Sequence, residues 1–394
     1  MFRLIFFAIF FWGIILINSH IGSEEFFLPS PKVEVCFLIF IVAIAIGGLS
    51  SEKASINGCS RAYCLVQASR LRLGILIYSV LLLLIAYKAL ILIIHGDYSR
   101  VALYSVAIGD RYPIIYVFLV YLKSFLSIFI NFSFLYALLN DRKRLAVISL
   151  LLILADSFLF LSRGPLVSLL FIVLLAQFFS ISKKTLNRSS SNKKNLIFLV
   201  ILIIFIAAIS FIRQDGFLSF IRDYLLIGPV IFSSLVSGLF DNSYCGPLNM
   251  PIVFSGIDYL VAIFLRGILH VDFHSIGYDW IKLIDEQVLT GSSGFEFIYH
   301  NAFYTILAEP FKAMGMSGVA ALGWFFGYFL HKLSWAYRKF SCEYSLLLLS
   351  YLWVILLTGI FGNALASPIL WLFLIAMPIV KRVIFTPVII KAHK

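Results

Sequence analysis

An all-α fold, a polytopic transmembrane helical bundle of about ten spans and up to twelve with one large loop on the outer face, follows from three features of the sequence. Of its 394 residues 62% are hydrophobic and 13% charged, whereas soluble domains run near ~45 to 50% and ~25%. Mean hydropathy is +1.02, and several stretches of 17 or more residues carry no charge, each long enough as a helix to cross roughly 30 Å of hydrocarbon. The 31 Lys and Arg are gathered in a few loops. A transmembrane β-barrel is not expected, because its strands would alternate apolar and polar side chains in ~10-residue segments.

Taken in order, the first span (4–19) follows Met1-Phe2-Arg3 and is similar to a secretory leader. No small-x-small cleavage site follows Asn18-Ser19-His20, so it is expected to remain as an uncleaved anchor. Spans 35–49 and 73–94 flank a basic loop, and span 113–139 carries Lys123 as span 73–94 carries Lys88. Span 145–161 contains Asp156; the turn Ser162-Arg163-Gly164 then leads into span 165–182, opened by Pro165. Span 196–212 follows a Lys- and Arg-rich loop and ends at Arg213-Gln214. Spans 314–332, 344–361 and 366–380 complete the ten. The chain thus divides into a bundle of about seven spans (1–212), the large loop (213–313) and a bundle of about three spans (314–394).

With the N-terminus in the cytoplasm, 20 Lys and Arg fall on the inside, among them Arg70, Arg72, Arg142, Lys143, Arg144, Lys332, Lys381 and Arg382. The outer face receives nine, although its loops hold more residues, and Lys88 and Lys123 lie within spans. The positive-inside rule therefore places both termini in the cytoplasm, and it accounts for the +12 net charge without nucleic acid. Of the five cysteines only Cys245 falls on the outer side, so no intramolecular disulfide is expected there.

The outer loop is about 100 residues long and holds ten of the 19 acids. A connector needs far less, so the loop is the expected seat of function. It contains two apolar stretches, 224–240 and 251–265. We read them as re-entrant or interface-lying helices broken at Gly228-Pro229 and Gly246-Pro247; the alternative is two further spans, joined by a cytoplasmic turn without Lys or Arg.

Arg163 sits in the tightest outward turn, beside a helix N-terminus. It is either a headgroup anchor or a preorganised phosphate site, which Asp156 could orient from within the bundle. Arg213, Arg222 and Arg266 face the same interface. Four guanidiniums suit a diphosphate, because each can chelate phosphate oxygens and stabilise charge on a leaving group. Candidate general bases are Asp215, Glu296 and His300, the last two followed by Asn301 and Tyr304 where the chain returns to the membrane. Tyr224, with Tyr244, Tyr278 and Trp280, could stack on sugar faces or anchor at the interface. His270 and His274 stand at i and i+4, but no HExxH pattern surrounds them and no metal site is expected.

Three features resemble the bacterial O-antigen and capsule repeat-unit polymerases known as Wzy: the SRG turn at 162–164, the Arg213-Gln214 ending of a span that opens a large loop, and the segment from Gly294 to Phe329 with Gly315, Gly318, Gly323 and Gly327. The resemblance covers topology over the whole chain and sequence over about 50 positions. It implies an inner-membrane glycosyltransferase whose large loop is periplasmic. Its substrates would be undecaprenyl-diphosphate-linked oligosaccharides, with the growing glycan passed to the non-reducing end of a new lipid-linked repeat. No cofactor, metal or nucleotide sugar is implied; the partners are the lipid-linked substrates, membrane lipids and, by family habit, a chain-length regulator and a flippase. Arg163 and Arg213 would hold the donor diphosphate, Arg222 or Arg266 would assist, Glu296, His300 or Asp215 would act as base, and Asn301, Tyr304 and Tyr224 would contact sugar. Three rivals are an O-antigen ligase passing glycan to lipid A core, a lipid-phosphate-dependent glycosyltransferase using Glu24 and Glu25, and a glycolipid flippase relying on Lys88, Lys123 and Asp156.

Overall fold

The computed structural model describes residues 3–21, 27–55, 62–94, 114–160, 162–182, 200, 204, 207, 227–233, 235–236, 254–268, 271, 288–293, 296–300, 305–360, 362, 365 and 367–389. The described residues are mostly helical: α1 (Arg3–Ile21), α2 (Pro31–Ser55), α3 (Ala68–Ile94), α4 (Ile114–Leu139), α5 (Lys143–Leu159), α6 (Gly164–Ser182), α7 (Ser255–Ile268), α8 (Ala308–Met314), α9 (Met316–Phe340), α10 (Glu343–Thr358) and α11 (Pro368–Ile384). Nine of the ten apolar stretches read from the sequence coincide with these helices; 196–212 lies almost wholly outside the described residues. Among the described residues three helices are long and apolar enough to cross a membrane, over Pro31–Ser51, Ala68–Tyr87 and Leu119–Leu139. The outward faces of the first two are apolar too, with Leu38, Leu76 and Leu83 more than half exposed, which water would penalise and hydrocarbon would not.

Two short antiparallel pairs, unanticipated in an all-helical reading, accompany the helices. Strand β1 (Ala62–Val66) pairs with β4 (Phe385–Ile389), and β2 (Val288–Ser293) with β3 (Glu296–His300). Each pair is a two-stranded ribbon, which is marginal alone and needs a packed neighbour.

The chain forms two compact units from interleaved segments: Met1–Ser60, Leu218–Lys339 and Ile355–Ala376 in the first, Arg61–Phe217, Phe340–Val354 and Met377–Lys394 in the second. In the first, Trp12 of α1 packs on Phe37 and Phe40 of α2, ring centroids 5.4 and 4.6 Å away. Helix α2 meets α9 through Gly323 and Gly327, a small-xxx-small pair. A Cβ at Gly323 would lie 2.6 Å from the Phe40 carbonyl, and one at Gly327 would collide with the Ile44 carbonyl. Beside this backbone contact Trp324 donates to Ser50 Oγ (3.1 Å), and His331 Nδ1 lies 3.2 Å from Ser51 Oγ. The residues 227–233 are helical and 227–232 are buried, with Phe232 against Phe37 and Phe311.

In the second unit α4 is central, in contact with α3, α5 and α6. The β1–β4 ribbon caps one end. Val66 N–H donates to the Glu343 carboxylate at 2.5 Å, Gln67 N–H to the Ile384 carbonyl at 2.9 Å, and Arg70 to the Val383 carbonyl. Phe385 is buried between the rings of Phe132 and Tyr344. Glu343 precedes the apolar stretch of α10; burial raises its carboxyl above the usual 4.5, opposed by the Val66 hydrogen bond and by Arg142.

Candidate functional site

The turn between α5 and α6 is built from backbone hydrogen bonds that the sequence makes available where α5 runs out. Phe160 N–H donates to the Asp156 carbonyl (3.3 Å) and Ser162 N–H to the Ser157 carbonyl (2.9 Å), so two carbonyls at the end of α5 are satisfied by the turn itself. On the other side Val167 N–H donates to the Arg163 carbonyl at 3.0 Å, starting α6. Pro165 sits in the first turn of α6, where its missing N–H costs nothing. Arg163 is thereby held immediately before the helix, and it is 4% exposed. Arg163 thus stands immediately before the first turn of a helix, the end at which backbone N–H groups and the helix dipole favour an anion.

Beneath this turn lies a buried polar cluster that hydropathy alone leaves unassigned. Lys123 Nζ of α4 is 2.5 Å from Asp156 Oδ1 of α5, and the Tyr78 hydroxyl of α3 donates to Asp156 Oδ2 at 3.0 Å. Lys123 also stands 4.3 Å from the centroid of the Phe160 ring. The three polar side chains are nearly inaccessible, with Lys123 at 9%, Asp156 at 4% and Tyr78 at 1%. Asp156 lies about 20 Å along α5 from Lys143 at ~1.5 Å per residue. Among the described residues its partners are therefore Lys123 and Tyr78, so Arg163 is not the cation it orients. The cluster ties α3, α4 and α5 together at the level where the Arg163 turn is anchored.

The other expected site residues are seen less fully. Arg266 lies in α7, two residues before its end, and Glu296 and His300 open and close β3, paired in register with Ser293 and Val288. These three are described in backbone alone. Asp215, Arg213, Arg222, Tyr224, Asn301 and Tyr304 lie outside the described residues, as do His270 and His274. Among the described residues no group of three His, Cys, Asp or Glu could hold a metal ion.

Two carboxylates in the long segment were not singled out by sequence. Asp258 of α7 is 1% exposed and Glu309, in the first turn of α8, is wholly buried. A carboxylate taken from water is costly unless its surroundings compensate it. The hint that the sequence offered was their setting: Asp258 is the one charge within the apolar stretch 251–265, and Glu309 stands shortly before the Gly-rich span.

Comparison with known proteins returns no match: no family model, no curated protein and no solved structure corresponds to the chain.

Proposed function

We propose that this chain is an O-antigen polymerase: a glycosyltransferase of about ten spans in the bacterial inner membrane, both termini cytoplasmic, that moves a growing glycan from undecaprenyl diphosphate to a new lipid-linked repeat. The observation that carries the reading is Arg163, nearly fully buried in a turn joining two apolar helices and placed at the start of α6. Such an arginine is prepared for a diphosphate whose charge grows as the glycosidic bond breaks.

The two-sided arrangement has independent support. The charge count assigns 62–72, 141–144, 341–343 and 381–389 to the cytoplasmic side. In the second unit β1 pairs with β4, Glu343 accepts from Val66 and Arg70 donates to Val383, which are contacts that same-sided segments can make. The flippase reading loses part of its motivation, because Lys123 and Asp156 pair with one another and are nearly inaccessible.

In the proposed reaction Arg163 and Arg213 grip the donor diphosphate, with Arg222 or Arg266 assisting. Glu296, His300 or Asp215 takes the proton from the attacking hydroxyl of the acceptor sugar. The bond from the donor's anomeric carbon to the diphosphate oxygen breaks, a bond from that carbon to the acceptor oxygen forms, and undecaprenyl diphosphate leaves as the anion. Purified protein given an undecaprenyl-diphosphate-linked repeat should lengthen it and release undecaprenyl diphosphate. Arg163→Ala should lower this rate by 10²-fold or more, the scale of losing a preorganised charge donor, and Arg163→Lys should recover little because it replaces a bidentate fork with a point charge. Normal elongation by both variants at equal protein would make Arg163 a structural residue of the turn.

A further inference from the structure

At the opposite end of the second unit from the Arg163 turn, the starts of α3 and α5 line a half-open cavity of about 740 Å³. Its rim carries Arg72 from α3 and Arg142, Lys143 and Arg144 from the start of α5, against a single acid, Asp141. All four cations are exposed, and Arg72, Lys143 and Arg144 make no ion pair with a described carboxylate. Arg142 lies over the Tyr136 ring, 5.2 Å from its centroid, and shares its charge with Glu343, whose carboxyl it favours in the ionised form. As N-cap of α5, Arg142 supplies no side-chain hydrogen bond, so the positive end of that helix is also left open toward the rim. The floor is different in kind. Leu71 and Ile75 are buried, and Leu76 and Ile148 are exposed walls. The apolar walls continue along both helices as the exposed Val80 and Leu83 of α3 and Leu151 of α5.

A cationic rim that opens into an apolar groove running along two helices matches an amphiphile with an anionic head, and its charge excludes a zwitterionic one as the preferred occupant. We propose that this cavity binds an anionic phospholipid of the cytoplasmic leaflet, its phosphodiester on Arg72, Arg142, Lys143 and Arg144 and an acyl chain along Leu76, Ile148 and Leu151. A basic pocket between helices at the cytoplasmic surface is the usual form of such a site. The proposal rests on the membrane embedding argued above and is independent of the glycosyl transfer.

The test uses the full-length protein purified in mild detergent and titrated with phosphatidylglycerol or phosphatidylcholine, bound lipid being counted by native mass spectrometry. Wild type should retain phosphatidylglycerol in preference to phosphatidylcholine. Arg72→Gln/Arg144→Gln should weaken that retention by roughly 25-fold, about five-fold for each charge removed near a membrane surface. Lys332→Gln/Lys339→Gln, which removes two exposed cations from α9, should leave it unchanged. Glycerol phosphate at the same concentration should not displace the lipid, because it lacks the chain that fills the groove. Equal retention of the two lipids by wild type would overturn the proposal, and so would equal losses in the two double variants. Displacement by glycerol phosphate would overturn it in favour of a free-phosphate site. Elongation by the purified protein is a separate readout that Arg163→Ala should lower by about 10²-fold or more while leaving phosphatidylglycerol retention intact, so failure of the lipid site and failure of the polymerase reading can be told apart.

Discussion

Lys123 and Asp156 are each expensive to bury and inexpensive to bury together, and this asymmetry sets what substitution should do. Removing one partner leaves an uncompensated buried charge, so Lys123→Met or Asp156→Leu alone should destabilise by about 3–5 kcal/mol. The double variant should recover much of that loss, since well-packed apolar pairs replace buried ion pairs at little cost. Thermal unfolding in detergent checks this as a double-mutant cycle, and additive losses would mean the two residues act apart. At this scale the sequence was partly legible. A charged residue inside an apolar run announces itself, so Lys123, Asp156 and Arg163 were all visible as anomalies. Their pairing was not, because nothing in a one-dimensional spacing says which cation an aspartate on a neighbouring helix will meet. Asp156 turned to Lys123 and Tyr78, and the Arg163 turn is held instead by the carbonyls of Asp156 and Ser157.

Helices are where the sequence speaks most directly, because a backbone in apolar surroundings must satisfy its own hydrogen bonds and a long apolar run has few other ways to do so. The β1–β4 ribbon was hidden for the opposite reason: its strands are five residues each and lie more than 300 positions apart, and β4 includes Pro387, which argues against a central strand and is tolerated in a two-stranded edge. The close approach of α2 and α9 was foreshadowed only by the recurrence of glycine. It makes a sharp prediction. Gly327→Ala puts a methyl group where the Ile44 carbonyl stands, so the helices must separate, at about 1–3 kcal/mol by analogy with other overpacked contacts. Gly74→Ala in α3 meets nothing within 4 Å and should be neutral or slightly stabilising, as a gain in helix propensity would be. Equal unfolding midpoints for the two variants would show that α2 and α9 are not packed through Gly327.

For the whole molecule the central question is sidedness, and the native cysteines report it. Cys36 is buried and should stay unreactive, whereas Cys342 is partly exposed beside the start of α10. If the chain lies as the charge count expects, with both termini cytoplasmic, an impermeant maleimide added to intact spheroplasts should miss Cys342 and reach it once the membrane is opened, while Cys245 in the large loop should react from outside. Labelling of Cys342 from outside would invert the arrangement. Protection of Cys245 by the bilayer would favour twelve spans.

The claim of glycan polymerisation is tested most directly by deleting the gene from a host with no second copy and separating its surface lipopolysaccharide on a gel. A polymerase builds the long ladder but is not needed to attach one unit, so the account predicts lipid A core bearing a single repeat and no longer species. Bare core with glycan stranded on the lipid carrier would mark a ligase, bare core with repeats held on the cytoplasmic leaflet a flippase, and an unchanged ladder would contradict all three.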